Sequence, residues 1–415
     1  MLKCMLAVLF VASSLSGIPQ ARQRLEELQH AVDRILQDAV DSNFIPGAVI
    51  EIKKGESILL ERAYGFAWKN DFHGRPLEHP VKAGTGSLYD LASLTKVIGT
   101  TTSIMLLVDQ GKLHVDDPVG KYIHGFNSPG KRSITIRNLL THTSGIDEWY
   151  PLFYRAHNKQ EVFRLIASLP LKYPVGEGRH YSDLGFTILG EIVEKVSGQS
   201  LDVFMHQHIF LPLGMRHTLF NPLKSGNASG IAATSLGNPY EYRMVREPAL
   251  GFTFPEIDPA SWNGWRQYVL RGEVNDGNAW YAEQGICGAA GLFSTVGDLQ
   301  KFADMMLHRG KVGRKTFLSE RTLRLFLTKD RFDNGLGWMM DPRNPVIADG
   351  PPGSFGHTGF TGTSIAVIPS LGASVILLVN RQNTGLSPAG TYYNLSPIRR
   401  KIFTLLMHYC DDAPD

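Results

Sequence analysis

Ser93-Leu94-Thr95-Lys96 stands directly ahead of an apolar run that includes Val97, Ile98, Ile104, Met105 and Leu106. A helix starting near Ser93 puts residues three apart on one face, so the Lys96 amine lies beside the Ser93 hydroxyl. A serine hydroxyl is a poor nucleophile until a neighbouring base takes its proton, and a partly desolvated lysine with a lowered pKa serves that purpose. The helix N-terminus adds partial positive charge and free N–H groups for a developing oxyanion. The same residues also suit a capping serine with a solvated lysine. A second copy, Ser128-Pro129-Gly130-Lys131, lies in a Pro-Gly turn that does not present its pair on a helix.

Outward from this stretch, two β-rich runs, Gly47 to Ile52 and Ser57 to Ala63, flank Lys53-Lys54-Gly55-Glu56 and read as a hairpin. Ser364 to Ile368 and Ser374 to Val379 form a second pair around Pro369-Ser370-Leu371-Gly372. Apolar residues at Leu25, Leu28, Val32, Ile35, Leu36 and Val40 mark one face of a helix over Arg22 to Asp41, and Pro397 to His408 is helical near the other end. Strands at both ends with helices between them predict an α+β fold. One antiparallel sheet built from both chain ends and flanked by helices takes residues 22–101 and 295–415, and residues 102–294 form a mostly helical inserted domain. A cleft between the two is a usual place for a substrate. Inside the insertion, Leu189, Ile192, Val193 and Val196 share a helical face that ends at Gly198. Ser225 to Asp276, rich in Gly, Pro, Asn and aromatic residues without clear periodicity, predicts substrate-facing loops.

Composition sets the remaining bounds. A chain of 415 residues with 43% apolar and 20% charged residues is an ordinary globular enzyme in make-up. The net charge of +3 is scattered, which argues against nucleic-acid binding. Lys3 followed by the apolar Met5 to Ala12 and the small residues Ser13, Ser14, Ser16 and Gly17 reads as a signal peptide over residues 1–21, hence an exported, periplasmic or secreted protein. No later segment reaches the ~18 apolar residues of a membrane span, so no transmembrane helix is expected after cleavage. Beyond the leader only Cys287 and Cys410 remain; a single disulfide between them is left open, and no Cys/His cluster has zinc-ligand spacing.

Neither Gly-x-Ser-x-Gly nor His-Glu-x-x-His occurs, which demotes two common hydrolase designs. Tyr181-Ser182-Asp183 precedes the helix containing Leu189, and Gly356-His357-Thr358-Gly359-Phe360-Thr361-Gly362 leads into the penultimate strand. Tyr181 is suited to carry protons, His357 to hold negative charge, and Gly359 to let backbone approach substrate. Each also has an ordinary structural reading: a half-buried aromatic, Asp183 as a helix cap, glycines in a tight turn.

Together, Ser93-Lys96, Tyr181-Asp183 and His357-Gly359 resemble, in order, the three motifs of the serine β-lactamase and penicillin-binding-protein superfamily, particularly its class C-like branch of D-Ala-D-Ala carboxypeptidases and esterases. Leu140-Thr141-His142-Thr143-Ser144-Gly145, Gly291-Leu292-Phe293-Ser294-Thr295 and the stretch Gly272 to Ala279 are similar to strings in that family. The resemblance implies a β-lactamase/transpeptidase-like fold and a two-step hydrolysis through an acyl-enzyme, with no metal or organic cofactor. It makes Ser93 the nucleophile, Lys96 its activating partner and Tyr181 the proton carrier. The oxyanion hole falls to the N–H groups of Ser93 and Phe360, and His357 and Thr358 meet a substrate carboxylate or support Tyr181. The substrate is a small-molecule ester or a peptidoglycan-like D-Ala amide; a penicillin-binding sensor and a weak class C-like β-lactamase are the alternatives.

Two positions depart from the family's pattern. His357 stands where many β-lactamases have lysine, and an unperturbed imidazole is mostly neutral at pH 7. Asp183 stands where the middle motif has asparagine, adding negative charge where an anionic β-lactam binds and favouring protonated Lys96. Efficient β-lactam hydrolysis is therefore not expected.

Overall fold

Alternation of side chains along three adjacent strands divides the core into two layers. Val49, Ile365, Val367, Ile376 and Leu378 face one way, while Ala48, Ile50, Ile52, Ala366, Ile368, Val375, Leu377 and Val379 face the other. The structure, a computed structural model, describes residues 17–226 and 230–411. The leader expected over residues 1–21 lies, up to Ser16, outside the described residues.

The strands are β1 (Gly47–Lys54), β2 (Ser57–Asn70), β3 (Pro76–Lys82), β4 (Phe355–Thr358), β5 (Ser364–Ile368) and β6 (Ala373–Val379). They form one sheet in the order β4-β5-β6-β1-β2-β3, every neighbouring pair antiparallel. The two expected hairpins meet at its centre, where Ala48 of β1 lies opposite Val379 of β6 and Lys54 opposite Ala373. The α+β architecture, an antiparallel sheet built from segments near both chain ends and flanked by helices, is as the periodicity implied.

The helices Gly17–Asp41 and Ser396–Asp411 cover one face of the sheet. Leu28, Val32, Leu36 and Val40 of the first pack with Ile398, Ile402, Phe403 and Leu406 of the second over Ile50 and Leu377. On the other face lies the helix Val296–Leu307, whose Leu299, Phe302, Ala303 and Met306 join the core of the region between β3 and β4. No helix among the described residues is long and apolar enough to cross a membrane.

Three expectations need correction or completion. The segment Ser225 to Asp276 is not all loop: Ala233–Leu236 pairs antiparallel with Val269–Arg271, and Pro239–Arg246 is a helix with Pro239 in its first turn. That helix spans eight residues, too short for its apolar spacing to stand out against the flanking Gly, Pro and Asn. Cys287 and Cys410 are both free and buried. Lys131 of the second Ser-x-x-Lys copy is buried, and its amine caps the end of the helix Lys159–Ser168 by donating to the carbonyls of Ala167 and Leu169.

The N-terminal helix is integral to the sheet domain. Leu36, fully buried, is expected to cost about 2–5 kcal/mol when truncated to alanine. Thermal unfolding of Leu36→Ala should fall by several degrees, and an unchanged Tm would contradict this packing.

Candidate active site

The chain enters the site along the short strand Tyr89–Asp90, which pairs with Leu292–Ser294. Ala92, at φ 44°, turns the chain into the left-handed region, so that Ser93 precedes the helical backbone rather than lying within it. The first stretch, Lys96–Thr101, is a wide π-helical turn that continues into the α-helix Thr102–Asp109. Such turns recur at functional sites.

Lys96 is 1% exposed, and its amine touches three groups. It donates to Ser93 Oγ at 2.9 Å and to the Ala289 carbonyl at 2.8 Å, and it pairs with Asp183 Oδ1 at 2.7 Å. Those partners match the three protons of an ammonium group. Ala289 reaches the amine because Gly288 lies flat on the helix Asp183–Ser197; a Cβ there would stand 2.2 Å from the Phe186 carbonyl oxygen. Asp183 opens that helix, and Ser182 rather than Asp183 is its cap, accepting the Gly185 N–H at 3.1 Å.

Burial by itself would lower the Lys96 pKa, but the Asp183 carboxylate, helped by Tyr181, outweighs it and holds the amine above its ordinary value. The lowered lysine pKa expected from desolvation alone is thus overturned by the carboxylate in place of asparagine. Burial raises the Tyr181 pKa, and the Lys96 charge opposes that rise.

His142 builds the floor beneath Tyr181. Its ring packs on the tyrosine with centroids 4.3 Å apart, and its Nδ1 accepts the Ser182 N–H at 3.0 Å. Burial, Arg179 and Lys96 keep its pKa well below the ordinary histidine value. Residue-by-residue reading assigned His142 no role, although the string Leu140 to Gly145 stood out as a unit.

Ser93, Lys96, Tyr181, Asp183 and Phe360 line one cavity of about 250 Å³. His357, Thr358 and Gly359 do not line it. His357 is 1% exposed behind Tyr181, their ring centroids 6.1 Å apart, and its Nδ1 is within 2.9 Å of the Thr358 carbonyl oxygen. Burial and the Lys96 charge push its pKa down to about 3, so the imidazole is neutral at physiological pH. Thr358 ends β4, and Gly359 begins the turn that carries Phe360, donating its N–H to the Thr363 carbonyl at 2.8 Å. The N–H groups of Ser93 and Phe360 donate to no other group among the described residues.

The opposite wall comes from residues that carry no motif. Trp149, Tyr240, Met244 and Phe252 make it apolar, and Glu241, Asn275 and Asp276 add polar groups. Burial raises the pKa of Glu241 and of Asp276, and the Asp276 charge raises that of Glu241 further. Tyr240, Glu241 and Met244 belong to the helix Pro239–Arg246, so the segment expected to face substrate does so as ordered structure.

The chain belongs to the Beta-lactamase family, whose sequence profile matches residues 32–396. Among curated proteins it is 36% identical over 382 residues to an Escherichia coli K12 protein named "Putative D-alanyl-D-alanine carboxypeptidase", covering 86% of this chain and 83% of that one. A Salmonella typhimurium protein of the same name is 34% identical over 402 residues, 88% of each chain. Among solved structures, a penicillin-binding protein homologue from Caulobacter crescentus superposes with a TM-score of 0.68 at 19% identity, over 93% of this chain and 97% of that one. EstCE1, described as a hydrolase with promiscuous acyltransferase activity, superposes with a TM-score of 0.66 at 20% identity, over 92% and 99%.

The Lys96–Asp183 pair makes a directional prediction. Asp183→Asn removes the counter-charge, burial then dominates, and the Lys96 pKa falls. The alkaline fall of the acylation rate, where Lys96 loses its proton, should therefore move to lower pH, and acylation by an anionic penicillin should speed up. An unmoved pH profile would contradict the control by Asp183, and an unchanged or slower penicillin rate would contradict the charge argument.

Proposed function

We propose that this protein is an exported serine hydrolase that works through an acyl-enzyme on Ser93, with an ester or a D-Ala-type amide as substrate. The observation that carries the reading is the 2.9 Å contact between the Lys96 amine and Ser93 Oγ inside a cavity also lined by Tyr181. The curated relatives' name favours a carboxypeptidase, and the neutral, enclosed His357 favours a substrate that needs no cation at that position.

In this mechanism Ser93 Oγ attacks the acyl carbon while its proton passes to the Tyr181 oxygen. Tyr181 in turn gives its own proton to the leaving oxygen or nitrogen, so no free phenolate is required. Lys96 remains an ammonium group and stabilises the negative charge that develops on both oxygens. The oxyanion sits between the N–H groups of Ser93 and Phe360. Water then attacks the ester carbonyl along the same proton path in reverse, releasing the acid and restoring Ser93.

A second reading has its own support. With Lys96 held protonated by Asp183, no strong base remains to activate the deacylating water, which favours a long-lived penicilloyl adduct and a sensor role.

Steady-state hydrolysis of p-nitrophenyl acetate, a diacyl-D-Ala-D-Ala peptide and a penicillin by wild type and Ser93→Ala separates these readings. Turnover of the ester or peptide, reduced at least about a thousandfold in Ser93→Ala, is expected. Stoichiometric penicillin binding without turnover of any of the three would replace the hydrolase by the sensor. Equal rates in wild type and Ser93→Ala would overturn both.

A further inference from the structure

Asp90, three residues before the nucleophile, is 2% exposed and joins three segments of the site. Its Oδ1 accepts the Ala92 N–H at 2.8 Å, and its Oδ2 accepts the Asn275 N–H at 2.7 Å. Its backbone carbonyl accepts the Thr361 hydroxyl at 2.7 Å, and the next carbonyl, that of Leu91, accepts the Thr363 hydroxyl at 3.0 Å. Leu91 also donates its N–H to the Leu292 carbonyl at 2.9 Å.

These bonds connect the elements that the acyl-transfer geometry needs. Ala92 is the left-handed residue that aims Ser93, and a non-glycine residue is strained in that region unless its surroundings hold it. The Asp90 carboxylate holds it by taking its N–H. Thr361 lies in, and Thr363 directly follows, the turn Gly359–Gly362 that carries the cavity-lining Phe360. Gly359 lets that turn pack directly on the nucleophile's strand, since a Cβ there would lie 2.4 Å from the Leu91 carbonyl oxygen and 2.2 Å from Thr363 Oγ1. From the other side, the Phe360 carbonyl accepts from Arg381 Nη2 at 2.8 Å and Gln382 Nε2 at 3.1 Å. The turn is therefore tied on two sides, while the Phe360 N–H stays free.

We propose that Asp90, Thr361 and Thr363 are the positioning residues of the oxyanion site, setting the distance between the Ser93 and Phe360 N–H groups. The inference rests on the acyl-enzyme reading above. None of the three touches substrate; they act through the peptide groups they hold. Because the donors are needed for the charge that develops in the transition state, loosening them lowers kcat while leaving ground-state binding in place.

The test is the kinetics of p-nitrophenyl acetate hydrolysis by Thr361→Val, Thr361→Ser and Asp90→Asn, with thermal unfolding recorded for each. Valine keeps the shape of threonine and removes the hydroxyl; serine keeps the hydroxyl. The expected result for Thr361→Val is a fall in kcat of roughly 10–100-fold with KM changed by less than about threefold, short of the ~10²–10³ lost when an oxyanion donor is deleted. Thr361→Ser should stay within about threefold of wild type, and Asp90→Asn should follow Thr361→Val. If Asp90→Asn fails to fold, the valine and serine pair decides. A Thr361→Val enzyme with wild-type kcat would overturn the inference. So would a serine variant as impaired as valine, or a rise in KM with kcat intact. Ser93-independent hydrolysis by wild type would instead defeat the acyl-enzyme reading on which it rests.

Discussion

A buried ammonium group governs this site. Taking a lysine amine out of water costs several kcal/mol unless its charge and all its protons find partners. Lys96 meets that demand with a carboxylate, a carbonyl and a hydroxyl supplied by three separate segments. The turn carrying Ser93, the start of the helix Asp183–Ser197 and the Gly288-Ala289 segment must therefore come together for the amine to be buried with these partners. The same requirement that stabilises the charge brings Ser93 into contact with it.

The replacement of an amide by a carboxylate at Asp183 changes what kind of Ser-Lys site this is. An asparagine leaves the lysine free to lose its proton; an aspartate keeps it charged. In the proposed mechanism the cationic amine works as an electrostatic stabiliser, and the tyrosine hydroxyl is the path for protons. His357 fits the same pattern, since its burial and the nearby Lys96 charge leave it neutral and in contact with the Thr358 carbonyl. The opposite wall carries Asp276 and Glu241 beside aromatic side chains, with burial pushing their carboxyl pKa values up to about 6 and about 8.

Much of the sheet was legible in the sequence because β1, β5 and β6 are β-rich apolar runs, β1 and β5 ending and β6 beginning at Gly-containing turns. The helix Gly17–Asp41 was legible for the matching reason, a stripe at spacings of three and four. The pairing of Ser93 with Lys96 is a contact between residues three apart, within reach of local pattern. The Lys96–Asp183 pair links positions far apart in the chain, yet the charge change at Asp183 was enough to anticipate its effect on the lysine. What stayed hidden depends on long-range placement. Asp90 meets Thr361 across 271 positions, and nothing in either residue's neighbourhood signals the bond. Trp149, Met244 and Asn275 enter the cavity through tertiary packing, and Lys131 shows that the same four-residue pattern becomes a helix-end cap when a Pro-Gly turn carries it. Burial of His357 was likewise invisible, because the imidazole lies behind Tyr181 rather than at the cavity's edge.

The most direct test of the central claim, that Ser93 is the residue acylated in a site built around Lys96, is peptide mapping of the protein quenched with acid milliseconds to seconds after mixing with p-nitrophenyl acetate. The account predicts one acetyl group, located on the peptide that contains Ser93 and absent from Ser93→Ala. Acetylation confined to Lys96, Tyr181 or surface amines, with Ser93 unmodified at every time point, would contradict it.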